Sequence, residues 1–100
     1  MRFEWDENKN RSNLKKHGID FVKAAEAFKD TNQVSTFEGT YGIELRWSMI
    51  GFTSQLALIV VIHVFKDVLG EDVVRIISAR TATRHERKFY ARENRQLRGR

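Results

Sequence analysis

The N-terminal third of the chain carries a strand pattern followed by two short helix patterns. Polar and apolar residues alternate over residues 2–5, which predicts a short strand. Asp6 can cap a first helix that continues to Lys16, and Gly18 supplies its C-terminal stop. Asp20 can cap a second helix, whose apolar residues at i, i+3, i+4 and i+7 form one face that packs on a sheet: Phe21, Ala24, Ala25 and Phe28.

Strand patterns dominate the middle of the chain. Residues 56–65 are β-branched and apolar on both faces, which predicts a central strand. Residues 73–79 are similar, and a turn containing Gly70 joins the two strands as an antiparallel hairpin. Residues 33–37 predict a weak edge strand. Residues 43–52 alternate between two faces, one bearing Leu45, Trp47 and Met49 and the other bearing Arg46, Ser48 and Ile50.

The spacing of Thr83 and Glu86 matches a capping box, so we expect a final helix to begin there. The predicted order of elements is therefore β-α-α-β-β-β-β-α. This order is typical of an α+β fold, here a small antiparallel sheet with two N-terminal helices and one C-terminal helix, packed mostly on one face. We expect one domain over residues 1–92 and a basic tail over residues 93–100, which is either the end of the last helix or frayed.

Length and composition limit the class of protein. One hundred residues make a single domain, and 41% hydrophobic residues are too many for a disordered chain. Without cysteine the chain can form neither a disulfide framework nor a thiolate zinc site, which fits a reducing cytosol. The N-terminus lacks the apolar run of a signal peptide, and the longest apolar segment, residues 56–65, is too short to cross a bilayer. We therefore expect a cytoplasmic protein without a membrane segment.

The net charge of +5 is concentrated at the C-terminal end of the chain. Residues 80–100 contain eight Lys/Arg and two Glu, a net charge of +6, whereas residues 1–79 carry −1. A positive field confined to one segment suits a polyanion, and RNA is the polyanion that we consider. The default alternative is a helix whose charges are simply solvated.

Cleavage of an RNA phosphodiester without a metal ion requires proton transfer, fixed cations and a held strand. The 2′-hydroxyl must lose a proton, the leaving 5′-oxygen must gain one, and the transition state carries extra negative charge. Arginine suits the cation role because its planar fork grips two phosphate oxygens and stays charged. Arg46, Arg75 and Arg80 are the candidates, since each lies in or just after a strand pattern. The alternative for Arg75 is a surface pair with Glu71 or Asp72.

His63 interrupts the most apolar strand and is the first candidate for proton transfer. An unperturbed pKa of about 6.5 suits a histidine to act as general base or acid, and the alternative is a core histidine with one satisfied nitrogen. Lys66 is a substitute for the same role. The three histidines are scattered without the spacing of a metal site, so we expect neither a metal ion nor a cofactor.

The final helix offers further contacts to a nucleic acid. Arg84 and Lys88 are candidates for binding phosphates along the strand. Tyr90 is a candidate for stacking on a base, and packing of its ring against the sheet is an equal alternative. Glu86 has a structural explanation in the capping box, and its alternative role is a carboxylate that orients an arginine.

Three segments of the sequence resemble BrnT-type toxins. The opening is similar over Phe3-Glu-Trp-Asp-Glu-Asn-Lys9, Asn13, Lys16-His-Gly18 and the apolar face from Phe21 to Phe28. The middle strand of these toxins is similar to Arg46-Trp47 with Ile50-Gly51. Their C-terminal signature is similar to Arg75-Ile-Ile-Ser-Ala-Arg80, followed by Ala82-Thr83, Glu86 and Tyr90. The resemblance extends from about residue 3 to residue 90 in the same order and spacing.

This resemblance implies a RelE-like α+β fold and a metal-independent endoribonuclease that inhibits translation. It also implies a cognate antitoxin, a small BrnA-like ribbon-helix-helix protein that forms a hetero-oligomer with the toxin. By position, the segments of the family's active face carry Arg46, His63, Arg75 and Arg80. Family members often follow the histidine with Thr-Glu-Arg, where this chain has Val64-Phe65-Lys66. A catalytic role of that glutamate would therefore be unfilled here.

Two other functions fit the same basic segment. A non-catalytic module would bind nucleic acid without cleaving it, and its binding would be sensitive to salt. The basic helix could instead be chiefly an interaction surface for an acidic partner that masks its charge. That third function is compatible with a toxin, because one surface can serve both substrate and antitoxin.

Overall fold

The protein has the predicted α+β order of elements. The structure is a computed structural model that describes the backbone of residues 1–98 and the side chains through Arg95. The helices are α1 (Glu7–His17), α2 (Phe21–Glu26), which continues as a 3₁₀ turn (Ala27–Lys29), and α3 (Arg84–Arg98). The strands are β1 (Arg2–Glu4), β2 (Val34–Tyr41), β3 (Glu44–Phe52), β4 (Leu58–Val68) and β5 (Glu71–Thr81).

The predicted caps define the first two helices. The side chain of Asp6 accepts hydrogen bonds from the backbone N–H groups at the start of α1, and Asp20 does the same for α2. Gly18 ends α1 with φ of +73°, a left-handed conformation that glycine adopts without strain. Local chemistry therefore sets the ends of these helices as the sequence predicts.

The sheet has the strand order β1-β5-β4-β3-β2, so β4 is central and β2 is an edge, as predicted. Strands β2 to β5 pair antiparallel. The sheet is nevertheless mixed rather than purely antiparallel, because β1 pairs parallel with β5. β1 is followed by helices rather than by the tight turn of a hairpin. It is therefore not forced to pair antiparallel with the next strand of the chain.

Helices cover both faces of the sheet, whereas the sequence predicted them mostly on one. α1 and α2 pack on the face that bears Met49 and Val61, in a buried cluster with Phe21. α3 packs on the opposite face, where a second cluster joins Ile50 to Tyr90. β4 is apolar on both faces, and that pattern already requires a covering layer on each side. We call the two sides the α1/α2 face and the α3 face.

A buried asparagine closes the edge of β5 where β1 ends. β1 pairs with β5 only as far as Arg75, so the edge beyond lacks a neighbouring strand. Asn13 of α1 donates to the carbonyl of Ala79 at 2.8 Å and accepts from its N–H at 3.1 Å. A further hydrogen bond to the carbonyl of Ile19 (2.8 Å) ties the end of α1 to the same point. The side-chain amide therefore takes the place of a strand.

The predicted division of the chain at residue 92 stays a prediction. α3 continues across that point to Arg98, and residues 99–100 of the predicted tail lie outside the described residues. No helix within residues 1–98 is long and apolar enough to span a bilayer.

Replacing Asn13 with alanine should lower the free energy of unfolding by about 2–3 kcal/mol, because the buried N–H and C=O of Ala79 lose their partner. Urea denaturation measures the difference. Ser12→Ala is the matched control, since Ser12 is an exposed neighbour on α1 and its loss should change stability by less than about 0.5 kcal/mol. Equal effects of the two substitutions would contradict this role of Asn13.

Candidate functional site

The structure brings the three predicted arginines together on the α3 face. Arg46 of β3 and Arg75 of β5 both pair with Val64 of β4, one on each side. Two strand spacings separate them, so their Cα atoms are about 10 Å apart. Arg80 pairs with Val60, which lies four residues from Val64 along β4 and points to the same face. The three side chains therefore share one rigid surface.

A β-bulge is the reason that Arg75 and Arg80 share a face. The two residues are five positions apart, so strict alternation along β5 would place them on opposite sides of the sheet. The register of β4 with β5 shifts between Ile62 and His63, which leaves Ile77 as the extra residue of β5. Because of this extra residue, the side chains of Arg75 and Arg80 lie on the same face of the sheet.

His63 lies on the other side of the sheet. It is only 4% exposed, and its ring packs against that of Phe28 with centroids 4.9 Å apart. Burial lowers the pKa of His63, and the contact of Nδ1 with the carbonyl of Val61 (3.3 Å) opposes that effect only partly. The geometry does not support the predicted proton transfer by His63 beside the arginines. It agrees with the alternative of a core histidine, because β4 itself separates the imidazole from the arginines.

Glu86 performs both of the roles considered for it. Its carboxylate accepts two hydrogen bonds from the guanidinium of Arg80, at 2.7 and 2.8 Å. It also accepts from the backbone N–H of Thr83 at 2.8 Å, and the Thr83 hydroxyl accepts in return from the N–H of Glu86 at 3.2 Å. The hydrogen bonds from Arg80 are the main reason that the pKa of Glu86 falls to about 2. One carboxylate thus joins β5 to the start of α3.

The ion pair leaves part of Arg80 available to a ligand. Two of the five N–H donors of its guanidinium go to Glu86, and a third makes a long contact of 3.4 Å with the carbonyl of Thr81, so two remain. The side chain is 42% exposed. Glu86 also raises the pKa of Arg80, which therefore stays charged. Glu86 therefore fixes the orientation of the Arg80 guanidinium and leaves some of its N–H donors available to a ligand.

The other cations of this face are held in a similar way. Arg75 donates through Nη2 to the carboxylate of Glu44, which reaches it from β3. The ammonium of Lys66 lies 3.2 Å from Glu4 of β1. The alternative considered for Arg75, a pair with Glu71 or Asp72 on its own hairpin, is therefore not what the structure contains.

Arg46 is held by an aromatic ring instead of a carboxylate. Its guanidinium carbon lies 4.3 Å from the ring centroid of Tyr41, and its buried Nε has no hydrogen-bond partner among residues 1–95. Among the described side chains, Arg46 makes no ion pair. A phosphate or other acceptor would therefore not have to compete with a carboxylate for it.

A groove begins beside these residues. Pairing of β3 with β4 ends at Arg46 and Val64, and the two strands diverge beyond that point. The groove between them has a volume of about 380 Å³ and is lined by Ile43, Glu44, Leu45, Val64, Phe65 and Lys66. Glu44 and Lys66, which form ion pairs with Arg75 and Glu4, both line this groove. An extended chain bound along the groove would therefore run beside them.

Tyr90 does not lie where a base could stack on it. It is 8% exposed, its ring meets that of Phe52 edge to face at 5.4 Å, and its hydroxyl donates to Asp30 at 2.6 Å. The prediction of Tyr90 as a substrate contact is therefore corrected to an anchor of α3 on the sheet. Arg84 and Lys88 do face solvent on α3, as a phosphate-binding role requires.

Sequence reasoning missed Tyr41 and Glu44 as members of this surface. They face each other across a two-residue loop, Gly42-Ile43, which is a hairpin signal that the predicted strands did not use. Gly39, within the same strand, is a signal for a bulge. Reading both signals together would have placed an aromatic ring beside Arg46.

The carboxylates and imidazoles of the described residues do not form a metal site. No three of them converge as ligands for an ion. What the arrangement offers a ligand is guanidinium and ammonium donors on a sheet, which is the chemistry of an anion-binding surface.

Comparison with known proteins finds a matching family model and a similar solved structure. The family model described as the ribonuclease toxin BrnT of type II toxin–antitoxin systems matches residues 5–86. The crystal structure of the Brucella abortus ribonuclease toxin BrnT is similar at 31% identity, with 84% of this chain and 99% of that chain covered and a TM-score of 0.56. A search of curated proteins finds no match. The family match contains Arg46, Arg75 and Arg80 and ends at Glu86.

Glu86→Gln should cost about 1 kcal/mol of stability at neutral pH, because glutamine keeps the capping box but loses the ion pair, which solvent screens at Arg80. The folded pKa of Glu86, about 2, lies below its ordinary value of 4.5. The pair therefore stabilises fully above pH of about 4.5, and its contribution disappears as the pH falls towards 2. Urea denaturation at several pH values measures this.

The control for that experiment is Glu93→Gln, which removes a carboxylate from the same helix and leaves the Arg80 pair intact. We expect it to change stability little at any pH. A stability gap between wild type and Glu86→Gln that is as large at pH 2.5 as at pH 7 would disprove the ion-pair account.

Proposed function

This chain belongs to the BrnT family of ribonuclease toxins of type II toxin–antitoxin systems, and we propose that it is a metal-independent endoribonuclease that cleaves RNA on its α3 face. We propose further that this cleavage inhibits translation in the cytoplasm. A ribbon-helix-helix antitoxin neutralises the toxin by forming a hetero-oligomer with it. The observation that carries the proposal is the position of Arg46, Arg75 and Arg80 on one face of a sheet.

Arginines on a sheet suit the geometry of phosphodiester cleavage. The 2′-hydroxyl gives its proton to a solvent water as its oxygen attacks phosphorus, and the bond to the 5′-oxygen breaks on the opposite side, so the phosphate must be held in one orientation. Arg75 and Arg80 come from the same strand and bind the scissile phosphate. Their fixed positive charges stabilise the extra negative charge of the transition state without reorganisation during the reaction. Arg46 positions the strand across β4.

The carboxylates that hold these arginines support that role. Glu86 orients Arg80 through two hydrogen bonds, and Glu44 orients Arg75 from the neighbouring hairpin. A guanidinium whose direction is already set loses less conformational freedom when phosphate binds. Both arginines keep further N–H donors for the substrate.

Lys66 is the proton-transfer candidate that faces the arginines. It lies two residues from Val64 on β4, and therefore on the α3 face, where Glu4 holds its ammonium at 3.2 Å. An ammonium has three donors, so Lys66 can contact Glu4 and still protonate the leaving 5′-oxygen.

The exposed cations of α3 extend the same surface. Arg84 and Lys88 attract the RNA backbone over a range of about 10 Å at ordinary salt. The binding of RNA should therefore weaken as the salt concentration rises.

Purified protein should fragment total RNA, and the rate should be the same with and without EDTA. Denaturing gels of the reaction over time measure both. Salt-sensitive RNA binding without fragments would favour the non-catalytic module instead. Loss of cleavage in EDTA that returns with added Mg²⁺ would contradict metal independence.

Arg80→Ala should reduce RNA cleavage by about 100-fold or more, because a fixed cation at the transition state is lost. It should also abolish growth arrest when the protein is expressed. Arg11→Ala is the matched control, since it removes the same charge from an exposed position on α1. Thermal melting must show that both variants are folded. A folded Arg80→Ala protein with wild-type cleavage would refute the assignment of Arg80.

A further inference from the structure

We propose that Tyr41 and Arg46 form a stacking site for an unpaired nucleobase, which makes single-stranded RNA the substrate class of this protein. The inference rests on the proposed ribonuclease function and adds to it a means of distinguishing unpaired from paired RNA. It is based on the contact between the Tyr41 ring and the Arg46 guanidinium, which lie at the edge of the surface formed by the three arginines.

A bulge in β2 brings Tyr41 to that surface. Phe37 and Tyr41 are four residues apart, so strict alternation would give their side chains the same direction. Phe37 pairs with Trp47, on the α1/α2 face, and the two rings meet at 5.3 Å. The register shifts immediately after Phe37, and Tyr41 pairs with Glu44 on the other face. The extra residue, Glu38, has re-aimed the tyrosine towards the arginines.

The stack itself is open to a further ring. The guanidinium carbon of Arg46 lies 4.3 Å from the ring centroid of Tyr41, so the two planar groups are in contact. Tyr41 is 53% exposed in spite of this contact. No acceptor within the described residues bonds the buried Nε of Arg46, and its guanidinium contacts the Tyr41 ring. A base can therefore stack on either group without first breaking an ion pair.

The edge strand leaves room beside the stack. Gly39 is the residue that pairs with Arg46, and it presents no side chain over the site. Its φ of +146° is a conformation that favours glycine, and a Cβ there would lie 3.7 Å from the Tyr41 ring. β2 is the outermost strand of this side of the sheet, so a nucleotide can approach from beyond it.

The chemistry of the site selects an unpaired base. In a duplex, each base is already stacked between its neighbours, and its flat surface is not available to a protein ring. An unpaired base offers that surface to aromatic side chains and to arginine, in any sequence. Arg46 lies about 10 Å from Arg75 across β4. A base stacked at Tyr41 would therefore belong to a nucleotide near the phosphate that Arg75 binds.

Binding of an RNA oligonucleotide with 2′-O-methyl groups, which lacks the nucleophilic 2′-hydroxyl, tests the site without cleavage. Fluorescence anisotropy at fixed salt should show that the full-length protein binds the single strand more tightly than the same strand in a duplex. Tyr41→Leu should weaken single-strand binding by about tenfold and leave duplex binding unchanged. Tyr41→Phe, which keeps the ring, should bind as wild type.

Phe37→Leu is the matched control. It removes a similarly exposed ring from the same strand but from the opposite face, and it should not change binding. Equal losses in Phe37→Leu and Tyr41→Leu would overturn the proposal, as would wild-type binding by Tyr41→Leu or equal wild-type affinity for strand and duplex. A protein that binds as expected but never cleaves unmodified RNA would overturn the ribonuclease function and leave the stacking site standing.

Discussion

One extra residue in β5 decides which face of the sheet the arginines share. Without the bulge at Ile77, Arg75 and Arg80 would point to opposite faces of the sheet, one towards α3 and the other into the core under α1 and α2. A second bulge, at Glu38 of β2, turns Tyr41 to the same face as the two arginines. A bulge redirects side chains to the other face of a sheet and disrupts local pairing. Here both bulges direct side chains to the α3 face.

The two faces of the sheet thereby differ in what they carry. The α1/α2 face carries the larger buried cluster, and the amide of Asn13 closes the backbone edge beside it. His63 belongs to this supporting face, packed on Phe28, so its burial contributes to stability. The α3 face is only partly covered, and its uncovered part carries the arginines. Substitutions on the two faces should therefore affect different properties of the protein.

The sequence predicted most of the elements because their causes are local. Asp6, Asp20 and Gly18 mark helix ends through their own side chains or conformational freedom, and β4 is recognised by its apolar, β-branched composition. The face of the sheet on which a residue lies beyond a bulge has no such local cause. Ile77 lies in an unbroken strand pattern, so nothing in its neighbours marks it as the extra residue.

The candidate site was therefore predicted in its residue types and only partly in its geometry. The three arginines were found because they lie in strands, but their common face depends on the bulge and on pairing between distant strands. The choice between the two roles of His63 stayed open for the same reason, since no local pattern shows which side of a central strand faces which helix. The two alternatives for Tyr90 also stayed open, because its hydrogen-bond partner, Asp30, lies 60 residues away in sequence.

The apolar floor between the arginines completes the physical account. Val60 and Val64 are 2% and 3% exposed and lie beside the arginines on β4. Val60 packs with Tyr90 in the buried cluster that α3 covers, and the side chains of Arg75 and Arg80 beside these valines are 29% and 42% exposed. Charges interact more strongly where less water surrounds them, so the same guanidinium groups act more strongly here than on an open helix. The two-faced apolar pattern of β4 thus supports one buried cluster on each side of the sheet.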